Sequence, residues 1–214
     1  IYMKNDTVVQ TAYGKRRYDD YYMQKGINDI SEMFGCGVFL EKDGVLALEA
    51  EYALENSSNA YLTTDKTGMI NWSHVRAETD GGTGLAMQVL SLRHTWTNPK
   101  DAPGMHYRIR ISETGEFNIW LFMLFEDERS DTCYFAVDGT HLPLDKQHRN
   151  GGLFNYSTAH IYFWCHTCSI SLTEGEHVFS IYACDAGMRI DRIYFSKTDE
   201  RPPLDADWKC SERK

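Results

Sequence analysis

Two glutamates separated by a single residue are the strongest chemical feature of the sequence. Glu49 and Glu51 lie in the run VLALEAEYAL (45–54), whose composition is typical of a β-strand. Side chains two residues apart on a strand point to the same face, about 7 Å from each other. Because like charges so placed repel each other, an offsetting cation such as calcium, which takes several carboxylate oxygens, is one explanation. The other explanation, that both glutamates simply face water, remains open.

Cysteine and histidine give no comparable signal for catalysis or for zinc. Cys165 and Cys168 form a Cys-x-x-Cys pair, but a zinc site needs a second pair, and the other four cysteines lie at no ligand-like spacing. A three-residue offset on a strand also places the two thiols on opposite faces unless the chain bulges. Structural thiols or one disulfide remain as alternatives. No His-Glu-x-x-His or Gly-x-Ser-x-Gly motif is present, so the sequence offers no positive case for catalysis. We predict that the module itself is not an enzyme, although its parent protein could be a glycoside hydrolase; an acid pair built from carboxylates at distant positions stays open as the alternative.

Eight strand-like runs position these residues. Turn signals such as Asp43-Gly44 and Asp138-Gly139 separate the runs. The runs span 45–54, 84–91, 105–112, 117–125, 131–139, 160–172, 177–185 and 189–197. This pattern predicts an all-β, two-sheet antiparallel sandwich over residues 38–200. The run 117–125 is apolar on both faces, so we place it in the middle of a sheet.

Both ends of the chain differ from this central part. Residues 1–37 carry aromatic and aliphatic side chains at three-to-four spacing, which predicts a short helical N-terminal extension or the tail of a preceding domain. Residues 201–214 begin with Pro202 and Pro203 and continue with mixed polar residues, which predicts a C-terminal linker.

The charge and hydropathy of the chain limit its partners. The formal net charge of −9 and the pI near 5.3 argue against nucleic acid, because phosphate binding needs a basic surface. No apolar run approaches the roughly 18 residues that a membrane span needs. We therefore expect neither a nucleic-acid partner nor membrane insertion.

The order of several motifs resembles a known group of modules. The motifs are LALEAEYA (46–53), Trp72 before Gly81-Gly82, HYRIRISETGEFNIWL (106–121), VDG (137–139), LTEGEHVFSIY (172–182) and GMRIDRIYFSK (187–197). Together they are similar to carbohydrate-binding module families 6 and 35 and to C-terminal domains of glycoside hydrolases, including the family 115 α-glucuronidases. The resemblance covers about residues 38–200. It implies a galactose-binding-like jelly roll with one structural calcium, and it supplies Asp191 as a third metal ligand beside Glu49 and Glu51.

Sugar recognition needs flat aromatic faces and a few polar groups aimed at hydroxyls. The candidates that lie in loops or near strand ends are Tyr61, Trp72, Trp96, Tyr156 and Trp164, and each of them could instead be a core or edge aromatic. Trp72, Tyr156 and Trp164 are chosen for the predicted site. Arg189 stands where relatives commonly carry a sugar-contacting Asn, and its planar guanidinium suits an anionic sugar carboxylate. These four residues form the predicted ligand site.

The sequence thus predicts a non-catalytic carbohydrate-binding module of a secreted, glycan-degrading bacterial protein. Its expected partners are a polysaccharide or oligosaccharide and the catalytic domain of the same parent protein, in an extracellular or cell-surface setting that the resemblance implies. The alternative is a structural or docking domain that packs against a catalytic glycoside hydrolase domain and binds no sugar itself.

Overall fold

The computed structural model divides the chain into two compact units, Ile1–Gly35 and Cys36–Lys214. It describes residues 8–11, 14–17, 38–55, 59–77, 84–91, 94–127, 130–143, 161–203 and 207–214. In the first unit, strands β1 (Val8–Thr11) and β2 (Gly14–Arg17) pair antiparallel as a hairpin. The residues predicted to be helical, 18–34, lie outside the described residues.

The second unit consists of two facing β-sheets. Its strands are β3 (Phe39–Leu40), β4 (Val45–Glu49), β5 (Ala60–Thr63), β6 (Trp72–Arg76), β7 (Leu85–Val89), β8 (Gly104–Ile111), β9 (Gly115–Leu124), β10 (Cys133–Val137), β11 (Thr140–His141), β12 (Phe163–Leu172), β13 (Gly175–Ala183) and β14 (Arg189–Ser196). The first sheet has the order β11-β10-β13-β8-β3, and β5 also pairs with β8. The second sheet has the order β12-β9-β14-β7-β6, and β4 also pairs with β14.

This architecture confirms the predicted all-β sandwich of jelly-roll type. Every strand pair of the two sheets is antiparallel except β3 with β8, which run parallel over Phe39 and Leu40. Among the described residues the helical segments are short 3₁₀ turns, at Ala50–Glu55 and Pro99–Asp101. None of the helices in the described part of the chain is long and apolar enough to cross a membrane.

Period-two alternation places the core between the sheets. On β8, Tyr107, Ile109 and Ile111 are completely buried and contribute to the core, whereas Arg110 on the other face is exposed. Strand β9 lies between β12 and β14 and is buried on both faces at its C-terminal end, which confirms its predicted central place.

The predicted Asp-Gly turns adopt the backbone that a tight hairpin requires. Asp138 and Gly139 have φ values of +51° and +74°, and they connect β10 to β11 with Val137 opposite Thr140. Positive φ at both central residues is the type I′ geometry, which matches the right-handed twist of paired strands. Glycine tolerates this conformation because it has no Cβ.

The run 45–54 is not one strand, as its sequence suggested. Strand β4 ends at Glu49, and Ala50–Glu55 forms a 3₁₀ helix instead. Tyr107 reaches across the core and donates a hydrogen bond of 2.7 Å to the carbonyl of Ala50, which holds the start of this helix in place.

Residues 207–214 do not form the predicted linker, because they pack on the sandwich. Lys214 and Val38 exchange backbone hydrogen bonds of 2.6 and 3.0 Å, and the amide of Ser211 donates to the carbonyl of Ala47 at 2.9 Å. A linker would leave these backbone groups to water. We call residues 207–214 the strap.

The Cys-x-x-Cys pair belongs to the hydrophobic core. Strand β12 has a register shift between His166 and Cys168, so that Cys165 and Cys168 are both buried in the same core. The bulge removes the opposite-face problem that the spacing posed. None of the five described cysteines is in a disulfide, and Cys36 lies outside the described residues.

Candidate functional site: a buried group of three carboxylates

The two glutamates and Asp191 come together at the junction of β4 and β14. Glu49 is the last residue of β4, Glu51 lies in the following 3₁₀ helix, and Asp191 belongs to β14. One oxygen from each carboxylate can be chosen so that all three lie within 4.8 Å of one another. The expectation that Glu49 and Glu51 share a strand face is wrong, yet the 3₁₀ turn brings both carboxylates to one place.

A β-bulge positions Asp191. Strand β14 pairs with β9 through Ile190 opposite Met123 and Arg192 opposite Phe122, and the register shifts between these two pairs. Asp191 is therefore the extra residue of the bulge. A bulge re-aims a side chain out of the regular alternation. This geometry accounts for a carboxylate that is completely buried next to Glu49 rather than exposed on the outer face.

The carboxylates of Glu49, Glu51 and Asp191, which we call the carboxylate cluster, lie close enough together to bind one hard divalent cation. Glu49, Glu51 and Asp191 are 6%, 7% and 0% exposed, so water screens their mutual repulsion poorly. Two oxygens bound to the same calcium ion at 2.3–2.6 Å lie no more than about 5.2 Å apart, and this limit exceeds the observed separation. Among the described residues this is the one group of three or more potential ligands that lies so close together.

Neighbouring groups hold Glu49 from two sides. The indole nitrogen of Trp208 donates a 2.8 Å hydrogen bond to Glu49 Oε1, and the Cys210 thiol lies 3.4 Å from the same oxygen. Arg192 Nε lies 3.7 Å from Glu49 Oε2. Sequence reasoning missed these contacts, although a tryptophan and a cysteine in an otherwise polar C-terminal segment were a visible sign of packing.

The structure describes three of the four predicted sugar-contacting residues. Trp72 is 2% exposed, and its indole nitrogen donates to the Pro103 carbonyl at 3.0 Å, so its ring packs in the core and not in a loop as expected. Trp164 is on β12 and Arg189 is on β14, with β9 between them. Tyr156 lies outside the described residues.

Arg189 takes part in an ion pair at the surface. Its Nη2 atom lies 3.7 Å from Glu126 Oε1, and the two side chains are 22% and 56% exposed. The Arg189 guanidinium is therefore accessible to solvent, and a carboxylate from another molecule could compete with Glu126 for it.

Aromatic side chains cover the outer face of the second sheet. Trp164 is 7% exposed and packs on Phe122, with a centroid distance of 5.1 Å, and on Trp208, at 5.6 Å. Trp120 and Tyr194 border this cluster and are only half-buried. We call Phe122, Trp164, Trp120, Tyr194 and Trp208 the outer aromatic cluster.

The fold defines this part of the chain as an all-β sandwich module. Its three clustered carboxylates are buried inside the module. The sequence profile of the glycosyl hydrolase family 115 C-terminal domain matches residues 38–202, and the chain belongs to this family. This membership supports an accessory or carbohydrate-binding role beside a glycoside hydrolase. No curated protein matches the sequence.

Solved structures to which the chain is similar include carbohydrate-binding modules. A family 35 carbohydrate binding module from Clostridium thermocellum is 13% identical, with a TM-score of 0.48 over 72% of this chain and 98% of that chain. The C-terminal CBM6 of LamC from Zobellia galactanivorans is 16% identical, with a TM-score of 0.43 over 72% of this chain and 99% of that chain. The module CBM6cm-2 from Cellvibrio mixtus lichenase 5A, in complex with cellotriose, is 15% identical, with a TM-score of 0.43 over 71% and 96%.

Proposed function

We propose that this chain is a non-catalytic carbohydrate-binding module of a secreted glycan-degrading protein, and that a calcium ion held by Glu49, Glu51 and Asp191 stabilises its fold. The observation that carries the calcium proposal is the convergence of three buried carboxylates within 4.8 Å. Calcium bound there would neutralise charge that burial makes costly and would tie β4 to β14. Sugar binding is inferred from the family of glycoside hydrolase domains to which the chain belongs.

The burial of the three carboxylates favours a structural role for them over hydrolysis. Glycosidase carboxylates must flank the scissile bond of a bound sugar. Glu49, Glu51 and Asp191 are each at most 7% exposed and therefore offer a polysaccharide no access.

Calcium binding is tested by thermal unfolding of the wild-type chain with excess EDTA and with excess calcium. A ligand that binds only the folded state adds about 2.7 kcal/mol at a hundredfold excess over its Kd. We expect a clear rise in Tm for the wild type and none for Asp191→Asn. Glu116→Gln, which removes an exposed carboxylate from β9, is the matched control and should keep the rise. An unchanged wild-type Tm would contradict the calcium proposal.

The proposed sugar is one that bears a uronic acid, and Arg189 is its proposed carboxylate partner. Because Glu126 already lies 3.7 Å from Arg189, it would compete with a sugar carboxylate for the guanidinium. Glu126→Gln should therefore strengthen binding, and Arg189→Gln should weaken it. Both changes should leave the binding of neutral glucans unaltered.

The experiment is calorimetry with glucuronic and galacturonic acid oligomers, xylan and neutral glucans. Shallow sites of this kind bind with Kd values of about 10 μM to 1 mM, and tethering to an enzyme on the polymer supplies the retention. Trp120→Ala tests whether the half-buried rim of the outer aromatic cluster adds a stacking surface. No heat with any of these sugars at millimolar concentration would contradict carbohydrate binding.

The burial of Trp72 and Trp164 favours a second candidate function. Two of the predicted sugar-stacking rings are 2% and 7% exposed, whereas Met69 and Leu90 are 83% and 66% exposed. A structural or docking domain that packs against a catalytic glycoside hydrolase domain would bury exposed apolar residues on association. In that case the sugar titrations are silent, and Met69→Ser with Leu90→Ser weakens association with the catalytic domain of the parent protein.

A further inference from the structure

We propose that Trp208 is a positioning residue for Glu49 in the carboxylate cluster, and that docking of the strap and binding of calcium stabilise each other. This inference rests on the calcium site of the proposed function. The strap lies beyond residues 38–202, the part of the chain that matches the family.

The strap lies along the strands that lead to the site. The amide of Leu40 on β3 donates to the Glu212 carbonyl at 2.9 Å. On β4, the Ala47 amide donates to Ser211 Oγ at 3.0 Å, and the Ser211 amide donates back to the Ala47 carbonyl at 2.9 Å. Two residues further along the same strand is Glu49. An attached strap thus fixes the end of the strand that carries the first carboxylate.

The strap also contacts the helix that carries the second carboxylate. The Arg213 guanidinium lies 4.0 Å from the ring centroid of Tyr52 and 4.7 Å from that of Phe39. Tyr52 follows Glu51 directly in the 3₁₀ helix. A cation over an aromatic face contributes about 0.5–2 kcal/mol, so this contact stabilises the conformation that presents Glu51.

The indole of Trp208 makes the direct contact to a proposed ligand. Its N–H donates at 2.8 Å to Glu49 Oε1, while Glu49 Oε2 is buried and accepts no hydrogen bond from the described residues. A donor on Oε1 fixes the rotation of the Glu49 carboxylate and leaves Oε2, which lies 3.7 Å from Arg192 Nε, for a metal. Because the indole nitrogen is only a donor and its ring is fixed by packing, it holds Oε1 in one place.

Packing holds the indole in this position. The Arg192 guanidinium lies 4.9 Å from the centroid of the Trp208 ring, and the ring contacts Trp164 and Tyr194 of the outer aromatic cluster. Replacement by Phe keeps an aromatic ring for this packing and removes the hydrogen bond. Changes to such outer partners of a metal ligand weaken metal affinity by about 10- to 100-fold.

The test compares Trp208→Phe with Trp120→Phe in the full chain. Trp120 belongs to the same outer aromatic cluster but lies on β9, where its ring packs against His166. Calcium Kd is measured by competition with a chromophoric chelator, and stability in EDTA is measured by urea unfolding. We expect Trp208→Phe to raise the calcium Kd about tenfold or more, and Trp120→Phe to leave it within twofold of the wild type.

Reciprocity supplies the second measurement. If strap docking strengthens calcium binding, calcium must strengthen strap docking by the same factor. Hydrogen exchange of the Ser211 and Lys214 amides, both of which donate to backbone carbonyls, should slow when calcium is added to the wild type. The slowing should be smaller in Trp208→Phe.

Each outcome bears on a different claim. A wild-type chain that binds no calcium overturns the proposed calcium site. Calcium binding with the same Kd in wild type and Trp208→Phe overturns the positioning role alone, including the case in which the variant is less stable in EDTA, since that loss is merely structural. Exchange of the strap amides that does not respond to calcium overturns the mutual stabilisation.

Discussion

Arg192 Nε lies 3.7 Å from Glu49 Oε2, and the two side chains are only 3% and 8% exposed. The guanidinium also lies over the rings of Phe122 and Trp208, at 5.4 and 4.9 Å from their centroids. The single guanidinium of Arg192 offsets at most one of the three formal negative charges of Glu49, Glu51 and Asp191. Arg192 thus offsets part of the charge of the carboxylate cluster and also packs against the outer aromatic cluster.

Arg192→Met should destabilise the calcium-free protein strongly and the calcium-loaded protein less. Removal of one partner of a buried ion pair costs about 3–5 kcal/mol, because the remaining charge is left uncompensated. Calcium replaces part of that compensation, so the calcium-induced rise in Tm should be larger in the variant than in the wild type. Urea unfolding and thermal scans with EDTA and with calcium measure both effects.

Arg108→Met is the matched control for this experiment. Arg108 pairs with Glu176 at 2.8 Å, but these side chains are 40% and 46% exposed, and such pairs contribute about 0–1 kcal/mol. Equal losses in Arg108→Met and Arg192→Met would refute the compensating role of Arg192.

Trp72 should prove to be a core residue when it is replaced. Its ring is 2% exposed and its N–H is bound to the Pro103 carbonyl. Trp72→Ala should lower the free energy of unfolding by about 3–5 kcal/mol, and Trp72→Phe by about 1–3 kcal/mol, mainly because the Pro103 carbonyl loses its donor. Sugar affinity, measured at a temperature where Trp72→Phe is folded, should equal that of the wild type. A loss of sugar binding in this stably folded variant would return Trp72 to the ligand site.

Local patterns predicted the strands well because alternation is a local signal. The run 105–112 corresponds to β8 and shows the expected apolar face, and the run 189–197 corresponds to β14. The end of β4 at Glu49 was not predictable, since Ala50–Glu55 carries the same apolar pattern as the strand before it. The contact of Tyr107 with Ala50, which holds the helix, comes from a distant strand.

In the candidate site, too, local sequence patterns identified some residues, and contacts between distant residues were missed. Glu49 and Glu51 stood out by spacing, whereas Asp191 is 140 residues beyond Glu51 and was found only through the resemblance to a family. The sequence around Trp208 indicated packing but could not identify its partner Glu49, which is 159 residues away. Burial of an aromatic residue is likewise a tertiary property, and so Trp72 was misplaced in a loop when it begins β6 in the core.

Any side chain at Gly104 should destabilise the protein, because three neighbouring side chains lie close to its backbone. A Cβ at this position would lie 2.7 Å from His106 Nε2, 2.9 Å from Thr63 Oγ1 and 2.9 Å from Tyr182 Cε1. Contacts this short force the surrounding groups to shift, and overpacking costs about 1–3 kcal/mol. Gly104→Ala should therefore lower the free energy of unfolding by that amount, and Gly104→Val by more, in urea titrations. A Gly104→Val chain as stable as the wild type would refute the tight packing around His106.

His106 should make the protein less stable as the pH falls from neutral. Its ring is 5% exposed, lies between Thr63 Oγ1 at 2.9 Å and Ser180 Oγ at 2.8 Å, and stacks on Tyr61. Burial lowers the pKa of His106 from 6.5 to about 4, so the unfolded chain binds a proton more readily than the folded one between these values. Stability is thus greatest above pH 6.5 with respect to this group and is lost as the pH falls toward 4, with about 2 kcal/mol lost at pH 5. In urea unfolding at pH 7 and pH 5, His106→Gln should lose less stability than the wild type by that amount, whatever its stability at pH 7. His74→Gln, on the exposed side of β6, should retain the wild-type difference, and a wild-type difference in His106→Gln as well would show that other groups cause the pH dependence.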